Sequence, residues 1–149
     1  MKFGIDLRAA LGLRFYLKEH KMNQKRILII DDESGFTRLL KLTLEKTGNF
    51  IVKEENDATR AHLTAHEFRP DLILLDIVMP KIDGGDVASK IKEDLALRRV
   101  PIVFLTAIVS NKEADSSHLI GGFPFLAKPV SLANLVKCIE ENLLKTPTT

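Results

Sequence analysis

The strongest indication of the fold is the run Leu72-Ile73-Leu74-Leu75-Asp76-Ile77-Val78-Met79-Pro80. Its first four residues are apolar without alternation, which is typical of a strand covered by helices on both faces. Asp76 then places a carboxylate at the tip of this strand. In open α/β sheets ligands bind outside the carboxyl ends of the strands, so this run predicts a parallel sheet with a chemically active edge.

Four further apolar runs have the length of strands, at residues 27–30, 50–52, 102–105 and 123–127. Between them lie segments with the apolar spacing or capping residues of helices, at about residues 36–44, 57–68, 84–95, 111–120 and 131–143. In the third of these helices we expect Val87, Ala88, Ile91 and Leu95 to face the core. Five β-α units with right-handed crossovers favour an α/β fold, a (βα)5 doubly wound, flavodoxin-like parallel sheet of five strands in the order 2-1-3-4-5.

Length and composition indicate one soluble domain. The chain has 149 residues, of which 45% are hydrophobic and 28% charged, and it lacks an apolar run near the roughly 20 residues that a membrane-spanning helix needs. The single cysteine, Cys138, cannot form an internal disulfide, which fits a reducing compartment. We therefore expect a cytoplasmic location.

Positive charge is concentrated at the start of the chain. Residues 1–25 contain six basic and two acidic side chains, whereas the rest of the chain is slightly acidic, so the basic pI is poor support for nucleic-acid binding. We divide the chain into a basic N-terminal extension (1–24), a folded domain (25–145) and a short tail (146–149). The extension is either a basic amphipathic helix that packs on the domain, binds a partner or touches anionic lipid, or a non-native start upstream of Met22.

Polar side chains follow four of the five predicted strands. Asp31 and Asp32 come after the first strand and Asp76 ends the third; Thr106 with Ala107 follows the fourth, and Lys128 the fifth. In the order 2-1-3-4-5 the first and third strands are neighbours at the switch point, so the three acids converge. Clustered carboxylates suit Mg²⁺, which prefers oxygen ligands and commonly binds phosphate oxygens at the same time.

This set of groups supports phosphoryl chemistry. An aspartate carboxylate can act as a nucleophile and form an aspartyl phosphate, which assigns that role to Asp76. Lys128 can hold one phosphoryl oxygen by its charge, and Thr106 another by a hydrogen bond.

With these residues in view, the chain resembles a response-regulator receiver domain of the CheY-like superfamily, similar to stand-alone receivers, over about residues 25–144. The matching motifs are Ile29-Ile30-Asp31-Asp32-Glu33, Leu75-Asp76-Ile77-Val78-Met79-Pro80, Asp83-Gly84, Leu105-Thr106-Ala107 and Phe125-Leu126-Ala127-Lys128-Pro129. The resemblance implies that Asp76 accepts phosphate from a sensor histidine kinase or a histidine phosphotransfer protein. It also implies a Mg²⁺ site of Asp31 (through water), Asp32, Asp76 and the Val78 carbonyl, and a cis bond before Pro129.

The resemblance further implies a conformational output. Thr106 and the aromatic ring of Phe125 would move inward on phosphorylation and remodel the face of the fourth predicted helix, the fifth strand and the fifth helix for a downstream protein target. Phe125 lacks the hydroxyl group that many relatives have at this position, and ordinary strand packing is an alternative role for it. We expect Phe123 to be exposed and Pro124 to lie on an edge strand.

Direct nucleic-acid binding is not expected, and the oligomeric state stays open between a monomer and a phosphorylation-linked dimer.

Three functional alternatives follow from the same residues. We expect a stoichiometric phosphoacceptor rather than an enzyme, because a dehalogenase-type aspartyl-phosphate hydrolase needs a second Asp where this chain has Val78. The chain is either a stand-alone receiver or a receiver fragment of a larger response regulator or hybrid kinase. A constitutive interaction module is disfavoured by the complete acidic, Thr and Lys set. Two further expectations concern single residues. Because Val78 and Ile108 are apolar where relatives often carry polar groups, we expect slow self-dephosphorylation.

The four histidines are expected to be scattered surface residues.

Overall fold

The computed structural model describes residues 6–107 and 119–145, with the backbone alone for 15–22. The helices are α1 (Leu7–Met22), α2 (Ser34–Lys46), α3 (Ala61–Phe68), α4 (Gly84–Glu93) and α5 (Leu132–Leu144). The strands are β1 (Lys25–Ile30), β2 (Phe50–Glu55), β3 (Leu72–Asp76), β4 (Ile102–Thr106), β5 (Leu119–Ile120) and β6 (Phe123–Ala127). Within these described ranges no helix has both the length and the apolar character needed to cross a membrane.

One sheet of six strands forms the centre of the molecule, in the order β2-β1-β3-β4-β6-β5. The five strands β2, β1, β3, β4 and β6 are parallel, which confirms the predicted flavodoxin-like order 2-1-3-4-5. All five residues of β3 and of β4 are buried, as continuous apolar runs predict. Strand β1 begins at Lys25, and the three-part division of the chain stays a prediction.

The sixth strand corrects the end of the helix predicted at residues 111–120. Residues 111–118 lie outside the described part of the chain, but Leu119 and Ile120 form a strand that pairs antiparallel with β6. Gly121 and Gly122 connect the two strands, with φ angles of 57° and 87°. Positive φ at both positions of a two-residue loop is the geometry of a tight β-hairpin, and glycine adopts it without a steric penalty. The glycine pair therefore favours a hairpin over a helix end.

The sheet carries two hydrophobic layers. Alternate residues of β1 divide between them, with Leu28 and Ile30 on the face covered by α3 and α4, and Ile27 and Ile29 on the face covered by α2 and α5. At full burial each such side chain contributes about 1.5–3 kcal/mol. The layers hold the strand ends at the carboxyl edge in a rigid frame.

Three local expectations are wrong. Leu95 is 80% exposed, because α4 ends at Glu93 and the chain then turns so that Leu97 enters the core. Phe123 is partly buried, with its ring edge-on to Phe104 at a centroid distance of 5.3 Å. Pro124 lies on β6, which has partners on both sides, so the edge strand is β5.

The segment before the sheet forms helix α1. The side chains of Leu7, Leu11 and Leu13 are exposed, at 75%, 52% and 58%. A helix thus occupies most of the predicted N-terminal extension. Which of its expected roles it has stays a prediction.

Candidate functional site

The carboxyl ends of β1 and β3 place the acidic residues side by side. Ile30 pairs with Leu75, so Asp31 and Asp76, the next residue on each strand, come next to one another. The backbone N–H of Asp31 donates to the Glu55 carbonyl, which continues the sheet one residue past β1. The parallel register therefore brings together two acids that are 45 positions apart in the chain.

Asp31, Asp32 and Asp76 form one acidic cluster. Each offers a carboxylate oxygen, and these oxygens all lie within 4.8 Å of one another. Asp31 is fully buried and Asp76 is 5% exposed, whereas Asp32 faces solvent. A hard divalent cation such as Mg²⁺ takes oxygen ligands and keeps some waters, so the donor set and the one open side fit that ion.

Lys128 supplies a positive charge at the same edge. Its Nζ atom is 2.7 Å from Asp31 Oδ2 and 3.7 Å from Asp76 Oδ2. Burial lowers the pKa of the ammonium group, but the hydrogen bond to Asp31 and the charges of Asp31, Asp76 and Glu33 outweigh burial and raise this pKa above its usual value. Lys128 is thus firmly protonated between two buried carboxylates.

The carboxyl group of Asp76 is held in an unfavourable electrostatic environment. Burial, followed by the negative charge of Asp31, raises the pKa of Asp76 to about 6, although Lys128 and the Val78 N–H act in the opposite direction. That N–H donates to Asp76 Oδ1 at 3.2 Å. One lysine does not balance three acids, so a bound cation or a charge-neutralising reaction at Asp76 would relieve the repulsion.

The loop after β3 approaches helix α4 closely. Asp83 caps α4 by accepting from the Gly85 N–H, and the Gly84 N–H donates to the Ile77 carbonyl at 2.9 Å. A Cβ atom on Gly84 would lie 2.7 Å from Ile77 Cα. Glycine is therefore required at position 84 if the loop beside Asp76 is to keep this course.

The remaining predicted residues lie along the same edge. Thr106, 1% exposed, ends β4, and its carbonyl accepts from the Lys128 N–H at 2.8 Å. Ala107 is exposed, and Phe125 is partly buried against the layer covered by α3 and α4. The peptide bond between Lys128 and Pro129 is cis, as the resemblance implies.

One contributor to this site was not anticipated from the sequence. The ring of Phe36, on the first turn of α2, lies under the Lys128 ammonium group, with Nζ 4.4 Å from the ring centre. The only sequence signal was the place of Phe36 on the apolar stripe of the helix, which predicts burial but not the partner. The contact joins residues that are 92 positions apart in the chain and depends on the tertiary fold.

The histidines are less scattered than expected. His62 and His66, both on α3, each have a ring nitrogen within hydrogen-bond distance of Asp94 Oδ2, at 2.9 and 3.1 Å. The hydrogen bonds from the Ala96 N–H, His62 and His66 hold the pKa of Asp94 below its usual value. The spacing of His62 and His66, one helical turn apart, was the available signal. His118 and the side chain of His20 lie outside the described residues.

The family of the chain follows from its sequence. Residues 27–140 match the family described as the response regulator receiver domain. The chain is 35% identical over 116 residues to the transcriptional regulatory protein PdtaR of Mycobacterium tuberculosis (strain H37Rv), covering 78% of this chain and 55% of that protein. It is 29% identical over 119 residues to the polar-differentiation response regulator DivK of Brucella anthropi, covering 80% and 96%. The chain spans about half the length of most of the curated relatives it matches, 50% for the regulator RpaA of Synechocystis.

Solved structures agree with this match. The receiver domain of the sensor histidine kinase PA1611 of Pseudomonas aeruginosa, determined with magnesium in its active-site cleft, has a TM-score of 0.71 and 27% identity, covering 82% of this chain and 99% of that one. A CheY-like receiver protein of Methanospirillum hungatei has a TM-score of 0.71 and 25% identity, covering 83% and 96%. The chain belongs to the response regulator receiver domain family, the CheY-like receivers of two-component systems.

Proposed function

We propose that this chain is the phosphoacceptor of a His-Asp phosphorelay and that Asp76 receives the phosphoryl group. The single observation that carries the proposal is the position of Asp76, whose carboxylate lies within 4.8 Å of the Asp31 and Asp32 oxygens and 3.7 Å from Lys128 Nζ. The donor would be the phosphohistidine of a sensor histidine kinase or of a histidine phosphotransfer protein. The lone cysteine fits the cytoplasmic location that we propose with this role.

The transfer is a substitution at phosphorus. An oxygen of Asp76 forms the new bond to phosphorus while the bond from phosphorus to the histidine nitrogen breaks, and the imidazole keeps the electron pair. The product is an acyl phosphate on Asp76. Because one phosphoryl group is accepted per chain, we propose a stoichiometric phosphoacceptor and not an enzyme.

The protein groups around Asp76 have distinct roles in this step. The residues that would hold Mg²⁺ are Asp31, Asp32, Asp76 and the Val78 carbonyl. When bound there, Mg²⁺ supplies positive charge for the phosphoryl oxygens and offsets the repulsion among the carboxylates. The ammonium of Lys128 exchanges part of its contact with Asp76 for a phosphoryl oxygen, and the Thr106 hydroxyl donates to another.

We propose that the output is a change of the face that the resemblance assigns to the fourth predicted helix (residues 111–120), β6 and α5; residues 111–118 of that helix lie outside the described part of the chain. Phe125 pairs with Phe104 across the sheet, two positions from the Thr106–Ala127 pair, and its partial burial leaves room for a further inward position. Movement of Thr106 toward the phosphoryl group would open this position to the ring. The partner would be a downstream protein that binds the remodelled face.

A second arrangement, in which the receiver is part of a larger protein, is favoured by one observation. Six of the curated relatives are about 1.4 to 1.8 times as long as this chain, and the PA1611 receiver belongs to a sensor histidine kinase. DivK, of which the chain covers 96%, represents the stand-alone arrangement. Phosphorylation of Asp76 is common to both.

Incubation with acetyl phosphate and Mg²⁺, followed by intact-mass measurement, tests the function. We expect one phosphoryl group per chain, dependent on Mg²⁺ and absent from Asp76→Asn. Repeated turnover of acetyl phosphate, with no accumulated adduct, would instead indicate a hydrolase. Absence of both adduct and turnover, in a folded protein, would indicate a constitutive interaction module.

A further inference from the structure

A second group of metal-binding side chains lies on the α3–α4 side of the sheet, away from the acidic cluster. His62 Nε2 and His66 Nδ1 lie 2.9 and 3.1 Å from the same oxygen, Oδ2 of Asp94. The two imidazole rings are 6.4 Å apart, centre to centre. One nitrogen of each histidine thus lies next to the same carboxylate oxygen on the surface.

The supporting backbone is rigid. Ala61 and Ala65, each next in sequence to one of the two histidines, are fully buried and fix α3 against the sheet. Asp94 directly follows α4. The backbone carbonyl of Asp94 accepts a hydrogen bond from the Leu97 N–H, and the Leu97 side chain is buried. The ligand positions are therefore set by two packed elements.

The carboxylate of Asp94 is oriented by its own backbone contact. The Ala96 N–H donates to Oδ1 at 2.9 Å, so that Oδ2 is left toward the histidines. A hydrogen bond of this kind, which orients a ligand from behind, is a common feature of metal sites in proteins.

We infer that His62, His66 and Asp94 form a binding site for a borderline divalent transition-metal ion such as Zn²⁺, with water completing the coordination. Imidazole and carboxylate together suit such ions, whereas the oxygen-only cluster at Asp76 suits Mg²⁺. Bonds of about 2.0–2.2 Å place neighbouring ligand atoms about 3.3 Å apart in a tetrahedral site. The two nitrogen–oxygen separations are already close to this value, whereas the two rings, with centres 6.4 Å apart, must bring their nitrogens closer together.

Binding requires the two imidazole rings to move. The Asp94 oxygen lies between the two rings, so the ion replaces two hydrogen bonds, and the rings must turn toward each other. The His66 side chain is 50% exposed and the His62 side chain 34% exposed, which leaves room for this rotation.

The bound ion would connect α3 to the end of α4. Because an unfolded chain does not hold these three ligands together, binding would add to the stability of the fold in proportion to the ion concentration. This inference does not depend on phosphorylation of Asp76.

Calorimetric titration of the full chain with Zn²⁺ tests the site. Excess Mg²⁺ is present to occupy the acidic cluster, and any affinity tag is removed. We expect one equivalent of Zn²⁺ to bind to the wild type. His66→Gln and Asp94→Asn should each raise the dissociation constant for Zn²⁺ by at least about tenfold. Cys138→Ser serves as the control, since it removes a metal-binding group on α5, and it is expected to bind Zn²⁺ as the wild type does.

A second measurement separates metal binding from a purely structural hydrogen-bonded link. The thermal midpoint of the wild type should rise with Zn²⁺, and that of His66→Gln should not, whatever their difference in the absence of metal. Equal Zn²⁺ affinity in the wild type and both cluster variants would overturn the inference. So would the absence of saturable binding by the wild type.

Discussion

Phe36 lies beneath the ammonium group of Lys128, with Nζ 4.4 Å from the centre of the aromatic ring. A cation over an aromatic face is worth about 0.5–1 kcal/mol when exposed and about 2 kcal/mol or more when desolvated. The Lys128 side chain is 13% exposed. The ring therefore helps to hold the ammonium group where it meets Asp31 and Asp76.

We predict that Phe36→Leu slows phosphorylation by acetyl phosphate about two- to fivefold, the equivalent of about 0.5–1 kcal/mol. Leucine keeps an apolar side chain at this position but removes the aromatic face. Phe36→Tyr keeps that face and should retain the wild-type rate constant. Equal rate constants for the leucine and tyrosine variants would show that the ring does not position Lys128.

The raised pKa of Asp76 predicts a pH dependence of stability in metal-free protein. Between the ordinary value of 3.8 and about 6 the folded state binds the Asp76 proton more tightly than the unfolded state does, so this group makes the fold less stable as pH rises through that range. In the presence of EDTA at pH 7, Asp76→Asn should raise the free energy of unfolding by about 1–3 kcal/mol. The gain should disappear by pH 4.

Chemical denaturation at several pH values measures this effect. Glu140→Gln, which neutralises an exposed acid on α5, is the matched control and should change the free energy of unfolding little. Added Mg²⁺ should stabilise the wild type more than Asp76→Asn and so reduce their difference. A gain from Asp76→Asn that is the same at pH 4 and pH 7 would contradict the assigned electrostatic cause.

The acyl phosphate on Asp76 should be long-lived. Val78 is 59% exposed and lies two residues beyond the acceptor, where an apolar side chain cannot position an attacking water. We expect Val78→Asn to shorten the lifetime severalfold, measured as loss of the phosphorylated mass after removal of acetyl phosphate. Val78→Ala, which adds no polar group, is the control. No change in the asparagine variant would eliminate the idea.

The hairpin between β5 and β6 should be sensitive to its first glycine. Gly121 has a φ angle of 57°, and a Cβ atom added there would meet no neighbour within 4 Å. Gly121→Ala should therefore destabilise the fold by about 1–2 kcal/mol through the strain of a left-handed backbone alone. Gly35→Ala is a matched substitution on the exposed surface of α2, also without a neighbour within 4 Å. It should stabilise the protein by about 0.5–1 kcal/mol. Thermal or chemical unfolding compares the two, and similar effects of both would contradict the hairpin geometry.

Local patterns were sufficient for most of the architecture. The uninterrupted apolar runs of β3 and β4 predicted burial on both faces, and the acids after β1 and β3 predicted a shared edge once the strand order was inferred. The sequence pattern did not predict the short strand at Leu119 and Ile120. The glycine pair that follows these residues could either end a helix or close a hairpin. Leu95 continues the apolar stripe of α4 in the sequence but lies beyond the last turn of the helix. Apolar periodicity does not show where a helix ends, so the core position expected for Leu95 was wrong.

The amino-acid order was enough to establish the alternation of strands and helices, the parallel sheet and the identity of the acids, Thr106 and Lys128 at its edge. These features depend on short-range periodicity and on the handedness of β-α crossovers, both of which are readable along the chain. Three contacts could be seen only in the folded chain. Lys128 contacts Asp31, 97 positions away, and packs over the Phe36 ring. His62 and His66 both contact Asp94. Each depends on the distance and angle between packed elements, which side-chain volumes in the core set and no local pattern records.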